Sequence, residues 1–382
     1  MTAMMRMVNS RLPMMMRGPG ALAMRKLRGE SGRVRHCWRH CSTATPCIGA
    51  CLSHEWALTP EIPLRHLVLA VLATLTLATA VEQIAVIPKG TTHEFWKSIH
   101  AGAIKAQREL NAGGRDIEII WKGPLKEDDR AEQIKVVENF IGRKVAGIVL
   151  APLDHQALVR PVVSASERKI PVVIIDSAIS TDRIASFVAT NNFKGGQRGG
   201  ERLAEVLGGK GKVALLRYQE GSASTMEREA GFLEALKAFP DITIISADQY
   251  AGATRDTAFT AAQNLLNRHS KDIDGIFTPN ESSTAGMILA LNETHLAERI
   301  AHVGFDSSAP LIAALKAGTV KGLVVQDPFQ MGYLGVMNVA AVIAGKEVPK
   351  QIDTPVVLVT PENLDEPAIK DLLNPPLDEY LK

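Results

Sequence analysis

Seven times along this chain a short, unbroken run of Val, Ile, Leu and Ala stops at or near a polar residue, and a helix-like stretch follows. Ile84–Ile87 stops before Pro88-Lys89, Gly147–Ala151 before Pro152, and Val172–Ile175 before Asp176. Val213–Leu216 then stops before Arg217, Gly275–Phe277 shortly before Asn280, Val303–Phe305 before Asp306, and Leu323–Val325 before Gln326. Such runs suit parallel strands covered by helices on both faces, where no residue can face water. The pattern predicts doubly wound α/β units. In open sheets of that kind ligands bind beyond the carboxyl ends of the strands. The residues ending the runs therefore collect where a ligand sits. They are Asp, Asn, Gln, Lys and Arg, with no Ser-His pair and no metal cluster among them, so they describe a surface that hydrogen-bonds something polar.

Between the runs, Phe95, Ile99, Ala103 and Ala106 recur at helical spacing, so a helix is predicted from about 93 to 111 and closed by Gly113-Gly114. Strands are expected at 83–87, 116–121, 147–151 and 171–176. A second unit begins near Asn191 with strands at 213–217, 242–246, 274–278, 301–305 and 321–325, a helix over 328–345, and a last strand at 355–359. Its first helix opens with Gly195, Gly196, Gly199 and Gly200. A glycine-rich helix start can cradle phosphate. No dinucleotide fingerprint fits here, and close helix packing or a hinge is the expected role. Two such units imply two lobes with a cleft between them, within the size of ordinary domains.

Charge is unevenly spread. The chain stands at +2, yet residues 1–66 carry ten Lys and Arg against three Asp and Glu. The remainder is net acidic, which argues against a nucleic-acid partner. All four cysteines, Cys37, Cys41, Cys47 and Cys51, lie in the same basic stretch. The body thus has no disulfide, thiolate nucleophile or cysteine-zinc site to use. His36-Cys37 and His40-Cys41 have a spacing that could ligate metal, but no ribbon or finger pattern surrounds them. Residues 1–63 are read as an unfolded leader or as a start placed too far upstream. Residues 64–80 follow a different rule: Arg65 and His66, then a 14-residue apolar run that ends in Ala78-Thr79-Ala80. That is the pattern of a secretory signal, too short for a membrane span. Export to the periplasm is the expectation.

Four segments together identify a family resemblance: Gly221–Phe232 (GSASTMEREAGF), Val303-Gly-Phe-Asp306, Gly275–Glu281 (GIFTPNE) and Val172–Asp176. In order and spacing the chain resembles the periplasmic sugar-binding proteins of the ribose-binding type, the soluble receptors of bacterial ABC importers, from about 83 to 359. The resemblance implies a type I periplasmic binding protein fold, an α/β fold of two Rossmann-like lobes joined by a three-crossover hinge. Carried over, lobe one is 82–190 with 327–355, and lobe two is 191–326 with 356–382. It implies a monomer without cofactor or metal that takes a small neutral sugar or polyol and passes it to a membrane ABC permease. It also implies the absence of bond chemistry. A sugar-responsive regulator of the same fold is the alternative, although residues 1–63 show no paired amphipathic helices for a DNA-binding motif.

The resemblance also implies a site. Phe95 and Trp96 occupy the family's aromatic pair, able to cover the C–H face of a sugar ring. His93 stands at a hydroxyl-bonding position. Asp176 and Asp306 end buried strands, where a carboxylate makes charge-assisted bonds to hydroxyls. Arg228 matches the family arginine that forks onto sugar oxygens, Asn280 can donate and accept, and Gln326 sits at a crossover. Lys89, Asn192 and Glu281 are second-tier candidates. Ser177 and Ala253 replace a family arginine and a family aromatic, with Tyr250 the nearest substitute ring. Those two departures argue against ribose itself and leave another pentose, a polyol or a modified sugar.

Overall fold

The computed structural model describes residues 81–382, in which the apolar runs form two six-stranded sheets. The leader, the secretory signal and all four cysteines lie outside the described residues. The first sheet contains β1 (Glu82–Ile87), β2 (Ile117–Trp121), β3 (Gly147–Leu150), β4 (Val172–Ile175), β5 (Ser186–Thr190) and β11 (Gln351–Thr354), in the order β11-β5-β4-β3-β1-β2. The second contains β6 (Lys210–Leu215), β7 (Asp241–Ser246), β8 (Gly275–Phe277), β9 (Ala301–Phe305), β10 (Gly322–Gln326) and β12 (Val356–Val359), in the order β12-β10-β9-β8-β6-β7. The two orders are the same pattern repeated. Pairing is parallel throughout both described sheets except between β10 and β12.

Helices cover both faces of each sheet, so the strands can be apolar on both sides. On the first sheet α1 (Glu94–Ala112) packs over one face, with α2 (Arg130–Arg143) and α3 (Val159–Glu167) over the other. On the second, α4 (Asn192–Val206) and α5 (Ala223–Leu236) cover one face, with α6 (Arg255–His269) and α7 (Glu281–Glu293) on the other. α8 (Ala309–Lys316) adds to the α7 side. α9 (Pro328–Ile343) leaves β10 of the second sheet yet packs on α1 and on β3, β4 and β5 of the first. Its counterpart α4 leaves β5 of the first sheet and packs on α5 in the second lobe. Each lobe thus lends the other one helix.

Close approach of helix backbones makes this exchange possible. A Cβ on Gly196 of α4 would sit 1.9 Å from the Arg228 carbonyl oxygen of α5, and one on Gly231 would sit 2.0 Å from that of Phe193. Gly196 and Gly200 of the second unit are therefore contact points between helices, while Gly195 and Gly199 face Phe305 and Phe277 of the sheet, so close packing replaces the phosphate reading. Gly102 and Gly332 repeat the arrangement between α1 and α9.

Two differences from the expected elements concern the edges. The strand predicted at 355–359 is β12, which pairs antiparallel with β10; just before it, across Pro355, lies a strand the sequence reading missed, β11, which pairs with β5. Proline has no N–H for a ladder, so the chain breaks there and changes sheets. β5 (SFVAT) was not expected, because its apolar run is only Phe187–Ala189 between Ser186 and Thr190. The chain passes between lobes at 190–192, 326–328 and 354–356. The C-terminal tail, expected wholly with lobe two, divides. α10 (Pro367–Leu373) places Ile369 in the lobe-two core, whereas α11 (Leu377–Tyr380) packs on α1 of lobe one.

Candidate functional site

The carboxyl ends of both sheets face one gap between the lobes. Its walls include Lys89, His93, Phe95, Trp96 and Asp176 from lobe one, Arg228, Asn280, Glu281 and Asp306 from lobe two, and Gln326 at the second crossover. Eight of these ten are the principal residues picked out in the sequence, and Lys89 and Glu281 are two of the second tier. Asp176 and Asp306 occupy equivalent positions after the fourth strand of their sheets. Both have left-handed backbones, with φ of 63° and 68°. Aspartate enters that region more readily than most residues. The local turn lifts each carboxylate off its strand end and into the gap.

Lobe two holds its polar groups rigidly. Arg228 donates from Nε to Asn192 Oδ1 at 2.8 Å and from Nη1 to the Pro279 carbonyl at 3.0 Å. Its guanidinium lies 3.9 Å from the Phe305 ring centroid, and Nη1 is 3.9 Å from Asp306 Oδ2. Asp306 accepts from Gln326 Nε2 at 2.6 Å and from the Glu281 backbone N–H at 3.0 Å. Asn280 caps α7, accepting from the Ser283 N–H at 3.3 Å and donating to Ser282 Oγ at 3.0 Å. Much of its polar capacity serves the helix. Glu281 pairs with Arg255 and accepts from Ser308 Oγ at 2.9 Å.

Lobe one is organised around a residue the sequence reading missed. Glu127 accepts from Trp96 Nε1 at 2.7 Å, lies 2.8 Å from His93 Nδ1, and accepts from Tyr218 Oη of the other lobe at 2.6 Å. Lys89 Nζ sits 2.8 Å from Asp176 Oδ2 and donates to Ser224 Oγ of lobe two at 3.1 Å. The Ser224 N–H donates to Ser177 Oγ at 3.0 Å, and the His155 N–H to the Gly221 carbonyl at 3.0 Å. These bonds draw the lobes together and leave about 30 Å³ in the gap. That is roughly one water molecule's share of liquid volume, so this is a closed form. Tyr218, Ser224 and Thr225 also line it unforeseen. The sequence signal for Tyr218 was its position just past the run ending at Leu216. Glu127 lies in a charged stretch, Lys126–Arg130, that reads as a solvated loop.

Two second-tier residues fall outside the gap walls. Asn192 is buried and positions Arg228, with its own Nδ2 3.4 Å from the Asp176 carbonyl. Tyr250 is 43% exposed and lies under the Arg217 guanidinium, 5.4 Å from centroid to Cζ. It supplies no ring to the gap. The small Ala253 beside it is buried.

Several groups are electrostatically tuned. Burial pushes the Asp306 carboxyl up to about 6, although Arg228 and Gln326 pull it down. Burial lowers the Arg228 guanidinium, opposed by Asp306 and Asp176. Burial alone would raise Glu127, but His93, Tyr218 and Trp96 bring it below the usual carboxylate range. For His93 burial works against the charged ring, and the Glu127 bond and charge outweigh it, so its pKa is raised. Three buried atoms in this gap have no hydrogen-bond partner among the described residues: Asp176 Oδ2, Arg228 Nη2 and Gln326 Oε1. Lys89 reaches the first as an ion pair, off the hydrogen-bond direction. Orphaned buried polar atoms are costly and rare in folded proteins. Here two acceptors and one donor, from both lobes and a crossover, share one gap.

Comparison with known proteins agrees with this architecture. A family model described as a periplasmic binding protein domain matches residues 84–347. A ribose import binding protein of Bacillus subtilis is 30% identical over 234 residues, covering 61% of this chain and 75% of the relative. A xylitol-binding protein of Mycolicibacterium smegmatis is 26% identical over 261 residues, 68% of this chain and 74% of that one. Among solved structures, a carbohydrate transporter solute-binding protein from Agrobacterium radiobacter in complex with D-arabinose superposes with a TM-score of 0.74 at 32% identity, over 78% of this chain and all of that one. An ABC transporter solute-binding protein from Agrobacterium vitis with bound D-fucose gives 0.72 at 35% identity, over 76% of this chain and all of that one.

Proposed function

The chain belongs to the ribose-type family of periplasmic sugar-binding proteins, and from that membership we propose that it captures a small neutral sugar or polyol between its lobes and delivers it to an ABC import permease. It is a binding protein and not an enzyme, as its relatives are. The relatives' ligands, ribose, xylitol, D-arabinose and D-fucose, are all uncharged and hydroxyl-rich.

The observation that carries the reading is the set of orphaned atoms. A hydroxyl both donates and accepts, so a polyhydroxylated ligand can donate to Asp176 Oδ2 and Gln326 Oε1 and accept from Arg228 Nη2. Bonds to the charged groups are the stronger ones. Phe95 and Trp96 stand edge-on to each other with centroids 5.0 Å apart, and they offer apolar surface to the C–H side of a ring. Cations and carboxylates are both present in the gap, which suits a neutral ligand better than a sugar acid or an amino sugar. Capture proceeds by opening, entry and closure, in which the ligand's hydroxyls take the place of Lys89–Ser224 and its neighbours. Localisation to the periplasm and cleavage after residues 64–80 complete the proposal.

Calorimetric titration of the purified protein against pentoses, hexoses and polyols tests it. Saturable binding near micromolar, about 8 kcal/mol, is expected for at least one of them. Absence of heat with every neutral sugar and polyol, together with binding of a charged solute, would falsify the reading.

A further inference from the structure

Among the described residues one lysine and one arginine are buried, Lys89 and Arg228, and both face the interlobe gap. They hold equivalent places. Lys89 follows β1, the first strand of its sheet, and Arg228 lies on α5, which follows β6, the first strand of the other. Each stands beside the carboxylate that ends the fourth strand of its own sheet. Lys89 Nζ is 2.8 Å from Asp176 Oδ2, and Arg228 Nη1 is 3.9 Å from Asp306 Oδ2. The gap therefore carries one such cation–carboxylate pair from each lobe, built from matching elements.

The cation of lobe one comes from an unexpected loop. The family resemblance calls for an arginine directly after Asp176, where this chain has Ser177. Ser177 is buried and its hydroxyl accepts from the Ser224 N–H, so it brings no charge to the gap. Lys89 reaches the same carboxylate from the loop after β1. That loop is held from behind by Gln133, which is wholly buried. Gln133 donates to the Pro88 and Ala151 carbonyls at 2.9 and 2.8 Å and accepts from the Leu153 N–H at 2.8 Å. One side chain thus fixes the loops after β1 and β3 to each other. An ammonium has three N–H donors. One goes to Ser224 Oγ of lobe two, a bond that exists only while the lobes meet. Asp176 Oδ2 has no hydrogen bond among the described residues. A donor and an acceptor therefore lie side by side in the gap wall with capacity to spare.

We propose that Lys89 is the specificity-determining cation of lobe one, and that with Asp176 it reads one hydroxyl of the ligand. That hydroxyl accepts from Lys89 Nζ and donates to Asp176 Oδ2. The assignment rests on the sugar reading above and deepens it, by naming the group that selects among sugars and polyols. A ligand without that hydroxyl leaves a buried donor and a buried acceptor unpaired together, and sites built this way reject the lacking analogue strongly. An arginine in the family's place would offer a planar fork, whereas a lysine is a compact donor on a flexible stem. Lys89 therefore selects at one hydroxyl where a fork would span two oxygens.

The test is calorimetry on the full chain. It starts from the ligand that binds tightest in the panel above, D-ribose, D-arabinose, D-fucose and xylitol included, and adds the monodeoxy analogues of that ligand. One analogue is expected to bind the unaltered protein at least about tenfold more weakly than the ligand itself. Lys89→Met keeps the unbranched stem and removes the donor. In that variant the same analogue's deficit should shrink to within about threefold while the deficits at other positions persist, the mark of direct coupling. A lysine that only supports the fold would weaken every ligand by one factor and leave the ratios alone. Unchanged ratios in the folded variant overturn the assignment and leave the sugar reading standing. Lys89→Arg keeps the charge beside Asp176 and serves if the first variant is poorly folded. It displaces the donors, so the same ratio must change, and an unchanged ratio there also overturns the assignment. Failure of every neutral sugar and polyol to bind the unaltered protein overturns the sugar reading, and the role of Lys89 falls with it.

Discussion

At the residue scale the account turns on Asp306. Its carboxylate is buried at a strand end, held by Gln326 and the Glu281 N–H, and faces a gap where hydroxyl donors would arrive. Asp306→Asn keeps the shape and removes the charge. Hydrogen bonds to charged groups are worth about 1.5–3 kcal/mol, so sugar affinity should fall about 10- to 150-fold while the thermal unfolding curve keeps its cooperativity. Acidity offers a second check on the same group. With a pKa of about 6 in the folded protein, the carboxyl is protonated below that pH and must lose its proton to accept from the ligand. Affinity should therefore decline as pH drops through about 6, by at most tenfold per pH unit, and proton release should accompany binding. Unliganded stability runs the other way. A carboxyl raised above its unfolded value of 3.8 contributes stability at low pH, and that contribution is lost as pH rises through about 6. Calorimetry in buffers of different ionisation enthalpy measures the proton directly.

At the scale of elements, the crossing of α4 and α5 positions the arginine. Gly196 touches the Arg228 backbone, and Asn192 one turn earlier holds its guanidinium. Gly196→Ala forces a methyl group into a carbonyl and should destabilise the protein by about 1–3 kcal/mol, as overpacking does. Sugar affinity should fall with it because Arg228 shifts; urea unfolding and titration measure the two effects. Most elements here were legible beforehand. Short, β-branched unbroken runs such as Val172–Ile175 favour buried strands over helices, and their polar ends marked Asp176, Asp306 and Gln326. What stayed hidden depended on tertiary partners. β5 carries only a three-residue apolar run, Phe187–Ala189, and its pairing with β4 and β11 defines it. Glu127 reads as one acid in a charged loop until the fold brings Trp96, His93 and Tyr218 to it. Tyr250 reads as a spare ring until the turn after β7 is seen to point it at Arg217 and solvent.

For the molecule as a whole, the repeated strand order, the exchanged helices and three crossings make two similar lobes joined by three passages of the chain. The bonds across the gap hold the closed form without depending on a single contact. Tyr218→Phe removes the Oη–Glu127 bond, leaves that buried carboxylate one partner short, and should shift the unliganded protein towards open forms. Small-angle scattering should then show a larger radius of gyration without sugar and the parental value with saturating sugar. An unchanged radius in the unliganded variant would mean that this bond does not govern closure.

The most direct test of the central claim is a crystal structure with the sugar or polyol that binds tightest. The account predicts ligand density in the interlobe gap, with hydroxyls within hydrogen-bond distance of Asp176, Arg228, Asp306 and Gln326 and a ring face against Phe95 or Trp96. Density on an outer face of either lobe, with those four side chains untouched, would contradict it.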